Sequence, residues 1–366
     1  MTNGEPSNGG RAAGRRTAIA LVLLALVALA AWQNRRLTDA RRAGLPGAPA
    51  YAMQAPPFLN FLVVGLGGFR GIAAEILWSR SERLQDEGRY LELVQLADWI
   101  TWLDPHAVDA WNYNAWNMAY NISAMMRRPE DRLRWVAHGI MLLRDEGLPA
   151  NPHNARIRRE LAWFYQHKIG SNDDAAHATY QFSLAEALAP CVRDDGTVDA
   201  TPANRAALAA MRLDADRMRA LERRFGPLDW RCAESHAVYW ASEGLELAHG
   251  PERLACRRAI YQPLLLALQS GRFAGDLKQG VYRAVPNPAL LAPTVRFLGD
   301  TARQFPTRGT RTAYAGLLVL AIREAHAAGD DVRARQWYAD LGPACAGVLP
   351  LPPYEELAPA PPAPPR

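Results

Sequence analysis

The sequence predicts an all-α fold built from consecutive helix pairs. Apolar residues recur with a helical period through most of residues 58–342, whereas runs of alternating β-branched residues, typical of strands, are scarce. Short segments with glycine or proline, such as Gly88-Arg89-Tyr90 and Asp104-Pro105, separate the predicted helices. With 49% apolar residues and four cysteines among 366 residues, the composition excludes a chain disordered throughout and a disulfide scaffold.

The first 33 residues predict where the protein is located in the cell. Residues 1–16 form a polar tail, and residues 18–32 then contain no polar side chain. We expect residues 17–33 to be a single transmembrane anchor; a cleaved signal peptide ending at Ala28-Leu29-Ala30 and a buried hydrophobic helix stay open as alternatives. Four arginines follow directly and favour the anchor, because dense positive charge is unusual at an exported mature N-terminus.

The charges beside the apolar segment bear on its orientation and its neighbours. Three arginines precede the segment and four follow it, so the asymmetry that sets membrane orientation is weak. Since a short tail is easily left inside, we expect a single-pass protein of the cell membrane whose bulk is periplasmic or extracytoplasmic. Much of the net charge of +5 lies next to this segment, which favours anionic lipid headgroups rather than nucleic acid as neighbours.

Three further regions follow the anchor. Residues 34–57 are basic and proline-rich and predict a linker. The helical array, residues 58–342, opens with an apolar stretch at 58–69 that is too short to span a membrane. Residues 343–366 contain nine prolines and predict an extended, disordered tail.

Within the array the helices follow one another in pairs, with an insertion near residues 190–230 and an irregular segment at 270–286. The insertion is predicted to hold one long, highly charged helix. In chain order, the predicted helices cover residues 73–87, 91–103, 108–126, 129–145, 154–167, 174–189, 202–225, 232–249, 252–269, 288–304, 311–328 and 331–341.

Two segments fit a 34-residue helix–turn–helix repeat especially well. In such a repeat, small residues let two helices approach and large residues fill the space between neighbouring units. The best-fitting residues are Gly88, Tyr90 and Pro105 in a unit beginning at Ala74, and Gly329, Ala334 and Tyr338 in a unit beginning at Ala315. These positions resemble the tetratricopeptide-repeat family over more than half of the chain, although the second unit is too long and residues 190–230 are inserted.

The resemblance implies an α-solenoid of stacked helix pairs. A further likeness, carried by residues 66–71 and Leu96-Ala97-Asp98-Trp99, is to membrane-anchored bacterial repeat proteins of undefined role, and it implies no biochemical activity. In the repeat family, the first helix of each unit lines a concave groove that binds partners. The corresponding positions here are Trp78, Glu82, Asn112, Trp116, Tyr120, Arg159, Trp163 and His167.

Tryptophan is concentrated in the same region. Seven of the eleven tryptophans lie between Trp78 and Trp163, and Trp116 and Trp163 take the same position in successive units. Flat rings beside amide and guanidinium donors suit a peptide groove. A stripe at helical spacing is also what core packing produces, so the sequence leaves both interpretations open.

Two groups of polar residues also leave alternatives open. Asn114, Asn117 and Asn121 share one helical face, where they form either a buried amide network or a recognition surface. Cys232 and Cys256 lie on neighbouring predicted helices and either pair in an oxidising compartment or remain free thiols.

The sequence contains no recognisable catalytic motif. It lacks His-x3-His and Cys-x2-Cys metal spacings, a Gly-x-Ser-x-Gly motif and phosphate-binding glycine loops, so we expect no enzyme, no cofactor and no metal. We expect a membrane-tethered scaffold or adaptor that binds protein or peptide partners at a bacterial membrane. The alternatives are a non-catalytic structural subunit of an envelope enzyme or export complex, and a lipid- or glycan-binding solenoid.

Overall fold

The computed structural model describes residues 70–358 and eight isolated positions between residues 21 and 36. Almost every element in this part of the chain is a helix, which confirms the all-α prediction. None of the helices described there is both long and apolar enough to cross a membrane. The predictions for the following segments lie wholly or mostly outside the described residues: 1–16, 17–33, 34–57, 58–69 and 359–366.

The chain divides into two compact units, residues 1–114 and 115–366. In the first unit, helices α1 (Arg70–Asp86) and α2 (Tyr90–Leu103) pack against each other, and α3 (Val108–Trp116) begins. The turn between α1 and α2 uses Gly88 at a φ of +69°, a conformation that residues with a Cβ rarely adopt. The core of the first unit contains Leu77, Leu84, Leu93, Leu96, Trp99 and Tyr113.

Polar contacts inside the first unit position α3. The indole N–H of Trp111 donates to the carbonyl oxygen of Pro105 at 2.9 Å. The amide of Asn114 donates to Oδ1 of Asp98 at 2.8 Å, and the Asn114 side chain is fully buried. Burial raises the pKa of Asp98, and the hydrogen bond from Asn114 partly offsets this rise. Asn114 therefore belongs to a buried amide contact between helices, one of the two alternatives that the sequence left open.

Three of the described helices each continue into a π-helical turn. Such turns, with i→i+5 hydrogen bonds, are rare and frequently lie at functional sites. Hydrophobic period alone predicts continuous helices here. The segments are Asn117–Ile122 after α3, ending in α4 (Ser123–Met125); Leu142–Gly147 after α5 (Pro129–Met141), ending in α6 (Leu148–Ala150); and Phe164–Ile169 after α7 (Ala155–Trp163).

Helix α5 approaches the chain at residues 115–119 closely. A Cβ placed on Gly139 would lie 2.7 Å from the backbone oxygen of Ala115 and 3.5 Å from the Cβ of Ala119. Both alanines are completely buried. Three small residues therefore allow the two helices to pack backbone against backbone.

The remaining helices complete the second unit. Helix α11 packs against both α7 and α12, and α14 packs against α15. A pair of two-residue antiparallel strands, β1 (Arg272–Phe273) and β2 (Ala284–Val285), lies in the segment predicted to be irregular. The helices are α8 (His177–Leu188), α9 (Pro202–Ala210), α10 (Ala215–Phe225), α11 (Ala233–Leu247), α12 (Pro251–Ser270), α13 (Leu291–Gln304), α14 (Arg308–Ala327), α15 (Asp331–Cys345) and α16 (Tyr354–Leu357).

The prediction of one long helix over residues 202–225 is wrong. The chain breaks between α9 and α10, where Arg212 adopts a φ of +56° and the N–H of Leu213 bonds back to the carbonyl of Leu208. Asp214 then caps α10 by accepting a hydrogen bond from the N–H of Arg217 at 2.7 Å. The spacing of charged and apolar residues in this segment predicted a helix, but no residue type in the sequence indicated where that helix would be interrupted.

The prediction of a disordered tail from residue 343 is wrong for residues 343–358. Helix α15 continues through Pro343 to Cys345, and α16 follows. The hydroxyl of Tyr338 donates to the carbonyl oxygen of Pro352, and the rings of Tyr338 and Tyr354 lie 5.2 Å apart. Leu357 is buried, so a few large side chains between the prolines are sufficient to dock the segment.

Gly139 tests the close helix approach. Replacing Gly139 by Ala forces the new Cβ against backbone, and we expect a loss of about 1–3 kcal/mol in the free energy of unfolding. The matched control is Gly316→Ala in α14, where a Cβ meets nothing within 4 Å. That variant is expected to gain up to about 1 kcal/mol from helix propensity. Urea unfolding measures both; equal effects of the two substitutions would show that the approach is not tight.

Candidate functional site

Four ring-bearing side chains of the second unit form one continuous cluster, here called the aromatic surface: Trp116, Tyr120, Trp163 and His167. Trp116 stacks on Tyr120 with ring centroids 5.0 Å apart, and Trp163 stacks on His167 at 4.5 Å. The hydroxyl of Tyr120 lies 3.2 Å from Nδ1 of His167 and joins the two stacks.

The two stacks arise in the same way on two helices. Trp116 is the last residue of α3 and Trp163 the last residue of α7. In both helices, the partner ring lies four residues later, inside the π-helical turn. A spacing of four residues places side chains one above the other on a helix, which explains each stack.

The tryptophans of the aromatic surface are not core residues. Trp116 is 39% exposed and Trp163 is 40% exposed, whereas Trp111 is buried in the first unit. The packing interpretation of the tryptophan stripe is therefore wrong for these two rings. Their outward position contrasts with that of Asn117, which is completely buried and accepts a hydrogen bond from Asn121.

The aromatic surface is supported from behind by buried side chains. Phe164 is completely buried and meets the ring of Tyr120 edge to face at 5.7 Å. The ammonium of Lys168 lies 5.0 Å from the same ring and pairs with Asp174 at 2.5 Å. These contacts hold Tyr120 in place and leave the two tryptophans on the outside.

Burial keeps the hydroxyl of Tyr120 protonated. Burial raises the pKa of Tyr120, nearby Glu160 adds to the rise, and a hydrogen bond from Trp163 opposes it. The phenol therefore stays protonated at neutral pH, and its hydroxyl can donate to Nδ1 of His167 when that nitrogen carries no proton.

A cleft of about 240 Å³ adjoins the aromatic surface at Trp163. One wall comes from α7 and its π turn and the other from α12, with two alanines between the polar groups. Burial raises the pKa of Glu160 in this wall, although Arg159 and Arg156 lower it. The cleft is lined by Arg159, Glu160, Trp163, Gln166, Ala255, Arg258, Ala259 and Gln262.

The structure thus brings together five of the eight predicted groove residues. Trp116, Tyr120, Trp163 and His167 form the aromatic surface, and Arg159 lines the adjoining cleft. The other three belong to the first unit. There Trp78 contacts Tyr113 at 5.3 Å, Glu82 is exposed, and Asn112 is half-buried.

Sequence reasoning missed four polar residues of the cleft: Glu160, Gln166, Arg258 and Gln262. Arg258 and Gln262 lie four residues apart on the exposed face of α12. That spacing is visible in the sequence and indicates a shared face. Only the packing of α12 against α7 places this face opposite Trp163.

The cysteines and possible metal ligands add no second centre. Cys191, Cys232, Cys256 and Cys345 are free and buried, so Cys232 and Cys256 do not pair. Burial raises the pKa of all four thiols, that of Cys256 to about 11. Within residues 70–358 and the isolated positions before them, no three His, Cys, Asp or Glu residues are grouped to hold a metal ion.

The chain matches no protein-family model, and no curated protein matches it.

Trp163 and Trp230 provide a matched test of the exposed surface. Trp163→Ala removes a stack on a partly exposed ring, and we expect a loss of about 1–2 kcal/mol in the free energy of unfolding. Trp230 is completely buried, and Trp230→Ala is expected to lose about 3–5 kcal/mol. Chemical denaturation of both variants gives the comparison. An equally large loss for Trp163→Ala would mean that this ring is a core side chain.

Proposed function

We propose that this protein is a membrane-tethered adaptor that binds the free C-terminal segment of a partner protein on the aromatic surface and its adjoining cleft. The observation that carries the proposal is the pair of exposed tryptophans. Trp116 stacks on Tyr120, which buried side chains hold in place, and Trp163 stacks on His167, which is hydrogen-bonded to Tyr120. The helices of both units would form the tetratricopeptide-like solenoid that the repeat pattern predicts.

Exposed, supported tryptophans are suited to carrying binding energy. Tryptophan is among the residues most enriched in interface hot spots, because it buries a large rigid area on binding. The stacks on Tyr120 and His167 restrict the rings before a partner arrives, so less side-chain entropy is lost on binding. An apolar side chain of the partner would cover the two outer faces.

The cleft chemistry favours a carboxylate-bearing peptide end. Two guanidinium groups, Arg159 and Arg258, lie on opposite walls, and Arg258 is exposed. Guanidinium groups bind carboxylates with strong, charge-assisted hydrogen bonds. Gln166 and Gln262 supply amide donors and acceptors for peptide groups. A volume of about 240 Å³ is below the usual range for drug-sized ligands and suits one terminal residue.

The proposed address comes from the sequence. Residues 17–33 would tether the chain to a bacterial membrane, and residues 34–57 would provide a flexible link to the helices. The bulk of the chain would lie on the periplasmic or extracytoplasmic side. A structural role in an envelope enzyme or export complex is compatible with this adaptor function, because both require a bound protein.

A peptide selection tests the proposal. From a library of peptides with free C-termini, we expect the chain to select binders that lose at least tenfold in affinity when their C-terminus is amidated. Arg258→Gln should lower the affinity of the free peptides by a similar factor, since each tenfold corresponds to about 1.4 kcal/mol. Trp116→Ala and Trp163→Ala should each weaken both peptide forms. Isothermal titration measures all of these affinities.

The matched control is Trp337→Ala, which removes a half-buried tryptophan of α15 that is in contact with Arg333. It should leave peptide affinity unchanged. Selection of glycans or lipids but no peptides would favour the lipid- or glycan-binding alternative. Peptides that bind equally well with a free and an amidated end would contradict the proposed role of the arginines.

A further inference from the structure

A second cavity in the same unit, of about 300 Å³, has a buried carboxyl group in its wall. It shares no lining residue with the cleft beside Trp163. Asn172 and His177 line it on the side of α8, where Asn172 is exposed to solvent, and Tyr282 lines it next to β2. Glu234 and Ser270 come from the first turn of α11 and the end of α12.

Glu234 is an unusual carboxyl group because it is buried without a cationic partner. The residue is 5% exposed, and the hydrogen bond that its carboxylate accepts from the Ser270 hydroxyl is long, at 3.4 Å. Among the described residues, no Lys, Arg or His lies within ion-pair distance of it. Asp229, also buried, differs: Arg231 pairs with it at 2.9 Å, and the backbone N–H of Phe273 donates to it.

Two groups near Glu234, Tyr282 and Cys232, are neutral at physiological pH, and the cavity wall also offers hydrogen-bond acceptors. Burial raises the pKa of Tyr282 and of Cys232, and the hydroxyl of Tyr282 points to the Cys232 sulfur at 3.8 Å. Nδ1 of His177 lies 2.8 Å from the carbonyl oxygen of Asp174, so Nδ1 carries the proton. The other ring nitrogen, Nε2, is an acceptor whenever it carries no proton.

We propose that this cavity binds a small primary amine, whose ammonium group forms the ion pair that Glu234 lacks. An ammonium has three N–H donors and no acceptor. The cavity offers the Glu234 carboxylate, the Ser270 hydroxyl and acceptors on Asn172 and His177, whereas a bound anion would be repelled by Glu234. The volume equals that of about ten water molecules, which limits the ligand to a small molecule.

Protonation of Glu234 couples amine binding to pH. Burial raises the pKa of Glu234 to about 7, although its own backbone N–H and Ser270 lower it. The ammonium requires the ionised carboxylate, so binding weakens as pH falls through this value. Between pH 8 and pH 5.5 the ionised fraction falls about 30-fold, and apparent affinity should fall by the same factor. Tyr282 and Cys232 stay neutral throughout, and the Glu234→Gln variant below distinguishes the effect of Glu234 from that of His177, which also lines the cavity.

Binding of n-butylamine to the full chain tests the proposal, with n-butanol as an uncharged probe of similar size. At pH 8 we expect n-butylamine to raise the melting temperature and to give a measurable titration, and n-butanol to do neither. At pH 5.5 the affinity for n-butylamine should be about 30-fold lower. Equal affinity at the two pH values, or equal effects of the amine and the alcohol, would overturn the proposal without any variant.

Two substitutions distinguish a direct role of Glu234 in amine binding from a general effect of removing a negative charge. Glu234→Gln keeps the size and the neutral form of the side chain, so the fold is expected to persist, and n-butylamine affinity at pH 8 should fall at least tenfold. Glu186→Gln changes an exposed carboxylate on α8 and should leave the affinity unchanged. Unchanged affinity in Glu234→Gln would overturn the proposal.

Discussion

The close approach of α5 to residues 115–119 is the constraint on which the aromatic surface depends. Gly139 leaves room for the backbone oxygen of Ala115, and the buried Ala115 and Ala119 face this contact. Trp116 and Tyr120 are each one residue further along the helix, so they are turned away from it. One helix therefore has both a tightly packed face and an outward aromatic face, and a bulkier residue at Gly139 would alter both.

The same local arrangement recurs in α7, where Trp163 stacks on His167 just as Trp116 stacks on Tyr120. Each stack begins in an α-helix and ends in a π-helical turn. The hydrogen bond between Tyr120 and His167 joins two local features into one surface. The rings are already ordered before binding. The proposed binding of a partner would therefore cost less side-chain entropy.

The sequence was sufficient where local signals decide the structure and insufficient where tertiary contacts do. Gly88 marked the first turn correctly, because its positive φ is a local property. The break before Asp214 had no glycine or proline to announce it, and Leu357 docks a proline-rich segment through contacts with distant residues. The four-residue spacing that produces the aromatic stacks is visible in the sequence, although the stacks themselves were not predicted. Arg258 lines the cleft only because α12 packs on α7.

The central proposal is that the chain is tethered to a membrane and that its aromatic surface contacts a protein partner there. A photo-crosslinking amino acid at position 163 of the full-length chain, irradiated in native membranes, tests it directly. We predict crosslinks from position 163 to the C-terminal residues of another protein, which mass spectrometry identifies. A control probe at position 337 should give no crosslinks to that protein. Crosslinks confined to lipid or to this chain itself would contradict the account.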